Sequence, residues 1–176
     1  MKRLLWIGSS HEDLKDFPDL IRGAMGHALY LAQIGKKHEH AKVLQGNKMK
    51  ITKPRKKRIG TIEYTESSGN VFADLGLPHP EEALAKAEIA SKIQDIIKEK
   101  KLSQAQAAKI LEISQPKISL LLRGFLTNFS LERLLRFLND LGQDVYISVV
   151  PSSHKDQGST RIGNSTSSAR VAALGR

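Results

Sequence analysis

The pattern of apolar and polar positions predicts a run of short helices in the second half of the chain. From residue 80 to residue 141, apolar residues recur at spacings of three and four, which places them on one face of a helix. The first helix should begin at Pro80, with acids in its first turn and lysines in its last. The last should begin after Ser130 and stop at Gly142. The pattern predicts four helices, enough for a small core.

Two of these helices are short and are separated by a three-residue turn. Ser103 and Gln106 have the spacing of a capping box, so the first of the pair should begin at Gln104. Ser114 is a suitable cap for the second, and Pro116 fits its first turn, where no amide is needed for an intrahelical bond. The positions expected to face the core are Ala107, Ala108, Ile110, Leu111, Ile118, Leu121 and Leu122. Residues 103–124 therefore predict a helix-turn-helix, which usually places its second helix in the DNA major groove.

These residues resemble the helix-turn-helix of the XRE/Cro repressor family. The resemblance implies that Gln104 contacts a phosphate and that the start of the second helix faces bases. Gln115 is then the best adenine reader, because Pro116 and Leu120 are limited to thymine methyl groups or DNA shape. The candidate DNA-binding residues are Gln104, Ser114, Gln115, Pro116, Lys117, Ser119, Leu120 and Arg123. A helical hairpin that binds nothing is the alternative, and the agreement of capping, spacing and polar placement disfavours it.

After the last helix, the spacing of apolar residues changes to every second position, which is typical of a β-strand. Apolar and polar residues alternate over 144–150, which predicts a β-strand ended by Pro151. The candidate residues of a dimerising strand are Val145, Tyr146, Ile147 and Val149. A lone strand leaves backbone groups unpaired, so pairing with the same strand of a second copy would give a two-fold dimer. Such a dimer would read an inverted repeat in double-stranded operator DNA. Pairing within the chain, with residues 60–65, is the less favoured alternative.

Charge and composition narrow the class of partner. The net charge of +10 favours an anionic partner, and the absence of cysteine excludes disulfides and cysteine-ligated metals. Residues 47–60 hold seven basic residues and no acid, and they form either a solvated linker or an arm that follows DNA. The candidate arm residues are Lys53, Arg55, Lys56, Lys57 and Arg58. Residues 151–176 are rich in Ser, Gly and Thr and are expected to be disordered.

The first 46 residues predict a small strand-helix-helix unit. Residues 4–7 should form a strand, Ser10 should cap a short helix, and Asp19 to Ile34 should form an amphipathic helix ended by Gly35. Trp6 and Tyr30 are expected in the core. The sequence His38-Glu39-His40 is more typical of a solvated loop than of a metal site, and no metal or cofactor is expected. The apolar start is too short for an export signal, and no segment has transmembrane length.

A second resemblance connects the two halves. Trp6-Ile7-Gly8-Ser9-Ser10, Phe17-Pro18 and residues 27–35 resemble the opening of HigB-like toxins of the RelE superfamily. Residues 61–150, including 68–78 and 129–133, resemble the partner HigA-like antitoxins. The resemblance implies a truncated toxin remnant fused ahead of an antitoxin, and the toxin's catalytic sheet would be missing. Candidate toxin-binding residues are Val71, Phe72, Leu75 and Leu77.

These observations predict a mainly α fold, an XRE-type bundle of four to five helices with a C-terminal strand. The expected divisions are 1–46 (remnant), 47–60 (linker or arm), 61–80 (irregular lead-in), 81–150 (DNA-binding domain with strand 144–150) and 151–176 (tail). The leading hypothesis is a cytoplasmic, nucleoid-associated autorepressor of a toxin-antitoxin operon, with no enzymatic activity. The alternatives are a plain XRE-type regulator without toxin binding and, least favoured, an RNA-binding or RNA-cleaving protein.

Overall fold

Helices dominate the part of the chain that the computed structural model describes, namely residues 1–38, 64–149, 151, 160 and 162. The N-terminal elements are β1 (Leu5–Ile7), α1 (Ser10–Lys15), α2 (Asp19–Gln33), β2 (Tyr64–Glu66) and α3 (Val71–Asp74). They are followed by α4 (Pro80–Glu99), α5 (Gln104–Ile110), α6 (Gln115–Leu122), a 3₁₀ turn (Leu126–Asn128) and α7 (Leu131–Asp140). The prediction of a mainly helical bundle with a helix-turn-helix is confirmed, with α5 and α6 as the helix-turn-helix pair.

Helices α2 to α7 all end in the same backbone motif. Two residues past the last helical residue the backbone takes a positive φ, and the amide of the next residue donates to a carbonyl five residues earlier. At the end of α7, for example, Gly142 has φ +79° and Gln143 N donates to Leu138 O at 2.9 Å. Gly35 and Gly142 therefore stop their helices as predicted. The repeated motif reverses the chain sharply and lets short helices pack on one another.

The N-terminal elements share one hydrophobic core with the helical bundle. β1 and β2 pair antiparallel, with Trp6 opposite Thr65. The Trp6 side chain is buried, and its Nε1 donates to Asp74 Oδ2 at 3.3 Å. On α2, Tyr30 and Leu31 are buried in the same cluster as the residues of α4 to α7. The prediction that Trp6 and Tyr30 are core residues is confirmed, and residues 1–36 pack directly onto residues 64–141.

The segment 61–80, expected to be irregular, is more ordered than its composition suggested. Among its described residues are β2 and α3, and the Asn70 side chain caps α3 by accepting from the amide of Phe72 at 3.0 Å. Phe72 fits against α2 so closely that a Cβ on Gly26 would lie 2.7 Å from its ring. Val71 and Leu75 are also buried. Three of the four candidate toxin-binding side chains thus face the core, and only Leu77 reaches the surface in part.

The predicted strand over 144–150 is not formed within its described part, residues 144–149, in the single chain. Residues 144–149 have no regular secondary structure, and the sheet within the described residues contains only β1 and β2. A strand exists only where a neighbour accepts its backbone hydrogen bonds, and here Tyr64 and Thr65 pair with β1 instead. Val145 packs partly against the core, whereas Tyr146, Ile147 and Val149 are 74%, 78% and 92% exposed. The basic arm and most of the tail lie outside the described residues.

Candidate nucleic-acid interface

Helix α5 is fixed at both ends by local hydrogen bonds. The capping box is present: the Ser103 hydroxyl accepts from Gln106 N at 3.3 Å, and Ser103 N donates to Gln106 Oε1 at 2.8 Å. Ala107, Ala108 and Leu111 are buried as predicted, but Ile110 is 39% exposed, because it lies on the solvent side of the short helix. The capping box confirms the predicted start of the helix-turn-helix.

The turn between α5 and α6 is tight because one residue adopts a left-handed backbone. Glu112 has φ +51°, and Ile113 N donates to Ala108 O at 3.0 Å. Glycine would adopt this conformation without strain, whereas a side chain there costs on the order of 1 kcal/mol. The turn therefore keeps the geometry expected of the motif despite Glu112.

One face of α6 is buried and the other is open. Ile118, Leu121 and Leu122 are buried, which confirms the predicted inward stripe. The end of the helix is fixed from α4, where the buried Gln94 side chain donates to Leu122 O at 2.7 Å. The hydrogen bond fixes the C-terminal end of α6 against α4, while the first turn of α6 is exposed.

The exposed start of α6 is electrostatically suited to an anion. Its first turn contains no acid, and the hydroxyl of Ser114 makes no capping hydrogen bond, which leaves the hydroxyl exposed at the helix N-terminus. Lys117 is exposed in the same turn, close to the positive end of the helix macrodipole. At the other end, the Arg123 guanidinium lies 5.2 Å from the centre of the Phe125 ring. Both ends of α6 thus present a cation to solvent.

The structure gathers the eight candidate DNA-binding residues on α6 and at the start of α5. The exposed residues are Ser114, Gln115, Pro116, Lys117 and Arg123. The half-buried residues are Gln104, Ser119 and Leu120. The roles of these residues in DNA binding are predictions. The candidate arm residues from Lys53 to Arg58 lie outside the described part of the chain.

Sequence reasoning missed a histidine packed against the end of α6. His27 of α2 is fully buried, and neither ring nitrogen has a hydrogen-bond partner. Burial, with a smaller contribution from His38, lowers the pKa of His27 to about 4. Its ring lies against Gly124, where a Cβ would be 2.5 Å from His27 Cδ2. His38 Nε2 is 3.2 Å from the carbonyl oxygen of Arg123. The only signal in the sequence was a histidine on an apolar helix face.

The described residues contain neither a metal-binding cluster nor a membrane-spanning helix. No group of three or more His, Asp or Glu there could hold a metal ion. Glu39 and His40 of the His38-Glu39-His40 sequence lie outside the described range. Within that same part of the chain, no helix is long and apolar enough to cross a membrane.

A comparison with protein families supports the helix-turn-helix assignment. A family model described as a helix-turn-helix domain matches residues 71–150. A solved structure named "Putative XRE Family Transcriptional Regulator" is 39% identical to this chain, over 49% of this chain and 97% of that one, with a TM-score of 0.44. No curated protein matches the chain.

Proposed function

We propose that this chain, whose residues 71–150 match a helix-turn-helix domain family, is an XRE-type transcriptional regulator that reads a specific operator with α6. The observation that carries the proposal is the exposed, acid-free first turn of α6 on a helix whose other face is buried. Gln115 is the residue there with a donor and an acceptor suited to adenine. Lys117 and the hydroxyl of Ser114 are the groups expected to contact phosphates, since both are exposed in or beside the first turn of α6.

Two substitutions separate base reading from phosphate contact. Gln115→Ala should remove roughly 1–3 kcal/mol of discrimination at one base position, because it deletes a bidentate contact to a base edge. Lys117→Gln should weaken binding to all sequences alike and reduce the slope of log affinity against log salt by about one. Competition titrations with single-base variants of the operator measure the first effect, and titrations of the operator at several salt concentrations measure the second. Unchanged base preference in Gln115→Ala would show that α6 is not the reading helix.

A homodimer is part of the proposal. Tyr146, Ile147 and Val149 are largely exposed, although the sequence 144–150 has the alternation of a strand. Pairing with the same segment of a second copy would cover these side chains and satisfy their backbone groups. It would also place two α6 helices on an inverted repeat. Sedimentation equilibrium of the native protein and of Ile147→Asp tests this: the substitution should shift the equilibrium toward monomer, and a native protein that is monomeric at micromolar concentration would contradict it.

We further propose that the regulator represses its own operon and neutralises a HigB-like toxin. The support is the resemblance of residues 61–150 to HigA-like antitoxins. The buried positions of Val71, Phe72 and Leu75 leave Leu77 as the candidate contact among the four. Co-purification with a HigB-like toxin, compared between the native chain and Leu77→Asp, tests the proposed toxin binding. Retained operator binding with no toxin capture would favour a plain XRE-type regulator.

A further inference from the structure

A groove lies between the start of α2, the start of α4 and the turn that follows α6. Its volume is about 230 Å³, and its apolar lining is supplied by Phe72, Leu77, Ala83 and Leu126. Asp19 and Gly23 of α2 form one wall, outside the residues 71–150 that match the helix-turn-helix family. None of the eight candidate DNA-binding residues, all of which the structure describes, lines it. The groove is therefore separate from the candidate nucleic-acid interface.

The floor of the groove is formed by a glycine that the packing of the described chain does not require. Glycine is a poor helix former, so a glycine inside a helix needs another reason to be there. For Gly26 the reason is the Phe72 ring, which would lie 2.7 Å from an added Cβ. A Cβ on Gly23 would meet no described atom within 4 Å. Leu20, three positions earlier on the same helix face, is 44% exposed. Gly23 thus leaves room for an apolar group that the described residues do not supply.

The rim of the groove presents carboxylates to solvent, although the whole chain has a net charge of +10. On α2, Asp19 forms an ion pair with Arg22, and the two side chains are 60% and 16% exposed. On α4, Glu82 forms an ion pair with Lys86 at 2.7 Å, and the two are 49% and 16% exposed. In each pair the cation is drawn inward and the carboxylate lies on the outside. Such a rim favours cationic groups on an occupant and disfavours nucleic acid.

The size of the groove indicates what kind of group it holds. Sites for small organic ligands usually have volumes of about 300–1,000 Å³, whereas this groove is smaller and open on one side. A pocket that accepts one large side chain is typical of the centre of a protein–protein interface, where an apolar anchor is buried. The groove therefore suits a single side chain of a partner protein better than a free small molecule.

We propose that the groove at Gly23 is a protein-docking site that accepts an apolar side chain flanked by lysine or arginine on a partner protein. The apolar side chain fills the space above Gly23 and contacts Leu77, and the flanking cations lie beside Asp19 and Glu82. This inference goes beyond the proposed toxin binding, because it stands on the shape and charge of the groove rather than on a resemblance. It does not depend on operator reading by α6.

The test begins with a phage-displayed library of random peptides, selected on the immobilised full-length protein. The selection should enrich peptides that carry a Leu, Ile, Met or Phe flanked by Lys or Arg. The most enriched peptide is then synthesised with a fluorophore, and its Kd is measured by fluorescence anisotropy. Gly23→Phe fills the groove from the helix side and should weaken binding at least about tenfold. The matched control Gly23→Ala adds only a Cβ in open space and should bind the peptide as the native protein does.

A second variant tests the charge of the rim. Asp19→Asn combined with Glu82→Gln removes both outward carboxylates and should weaken binding of the same peptide about threefold to tenfold. It should also reduce the salt dependence of the affinity, because exposed charges are screened by salt. Unchanged affinity and salt dependence in this variant would overturn the proposed cationic flanks.

Urea denaturation of every variant separates loss of binding from loss of folding, and Gly23→Leu serves as a second filling variant if Gly23→Phe disturbs folding. The proposal would be overturned if the selected peptides bound the filled variants as tightly as the native protein. A selection that enriched acidic peptides, or no peptide at all, would also overturn it. Self-association of the native protein that Gly23→Phe abolishes would make a second copy the occupant and would equally contradict a basic partner protein.

Discussion

Acid should destabilise the protein through His27, the buried histidine at the end of α6. The pKa of this imidazole falls from its ordinary 6.5 to about 4 in the folded protein, mainly because burial disfavours the charged form. The unfolded chain therefore takes up the proton first as the pH falls. The stabilising contribution is complete above about pH 6.5 and is lost progressively between about 6.5 and 4.

The magnitude follows from these two pKa values. Between about pH 7.5 and pH 5, protonation of the unfolded state alone should lower the free energy of unfolding by about 2 kcal/mol. His27→Leu removes the titrating group. Over the same pH interval, the free energy of unfolding of this variant should therefore fall by about 2 kcal/mol less than that of the native protein. Urea denaturation at both pH values measures the difference. Other groups, including Asp74 and Glu88, contribute equally to both proteins and cancel in the comparison.

His79→Asn is the matched control for this experiment. His79 is exposed and adopts φ +51°, a conformation that asparagine tolerates. The control should keep the native pH dependence. If His27→Leu and the native protein lost the same unfolding free energy between the two pH values, the imidazole would not be buried in its neutral form and the packing of α2 on α6 would be misassigned.

Two further predictions concern stability, and both are measured by urea denaturation at neutral pH. Gly124→Ala should lower the free energy of unfolding by about 2–4 kcal/mol, because the residue has a positive φ of +78° and the new Cβ would touch the His27 ring. Gly35 has a similar φ of +80° but open space around it, so Gly35→Ala should lower it by only about 1 kcal/mol. Equal losses in the two variants would contradict the close approach of α2 to the end of α6. Ser103→Ala should cost about 1 kcal/mol by removing the capping box, whereas Ser114→Ala, which removes no capping bond, should cost less than about 0.5 kcal/mol. The reverse order would show that Ser114, not Ser103, caps its helix.

The elements of residues 80–141 could be predicted closely because their information is local. Capping residues, apolar spacing and the glycine after α7 each act within a few residues of the helix they define. The same is true of α2, whose predicted range of 19–34 differs from the observed one by a single residue. Local signals of this kind do not depend on what the helix later packs against.

Apart from Ile110, which is 39% exposed on its own short helix, the differences concern contacts between distant residues. The sequence alone presents Val71, Phe72 and Leu75 as candidates for toxin contact, whereas the folded chain buries all three, with Phe72 and Leu75 beside Gly26 of α2. The pairing of residues 144–149 is a question of the same kind. The alternative of pairing within the chain is not observed, since β2 pairs with β1, and pairing with a second copy stays a prediction. His27 gave no recognisable pattern, because the importance of a buried imidazole depends on Gly124, far along the sequence. Periodicity identifies a buried face but not its neighbour.

The measurement that tests the central proposal most directly is a fluorescence-anisotropy titration of the native protein. It compares the DNA upstream of the gene with a scrambled duplex of the same length, each at two salt concentrations. The account predicts tight, saturable binding to the upstream DNA that survives the higher salt, and weak binding to the scrambled duplex. Equal binding to both duplexes that disappears at the higher salt would contradict sequence-specific reading by α6.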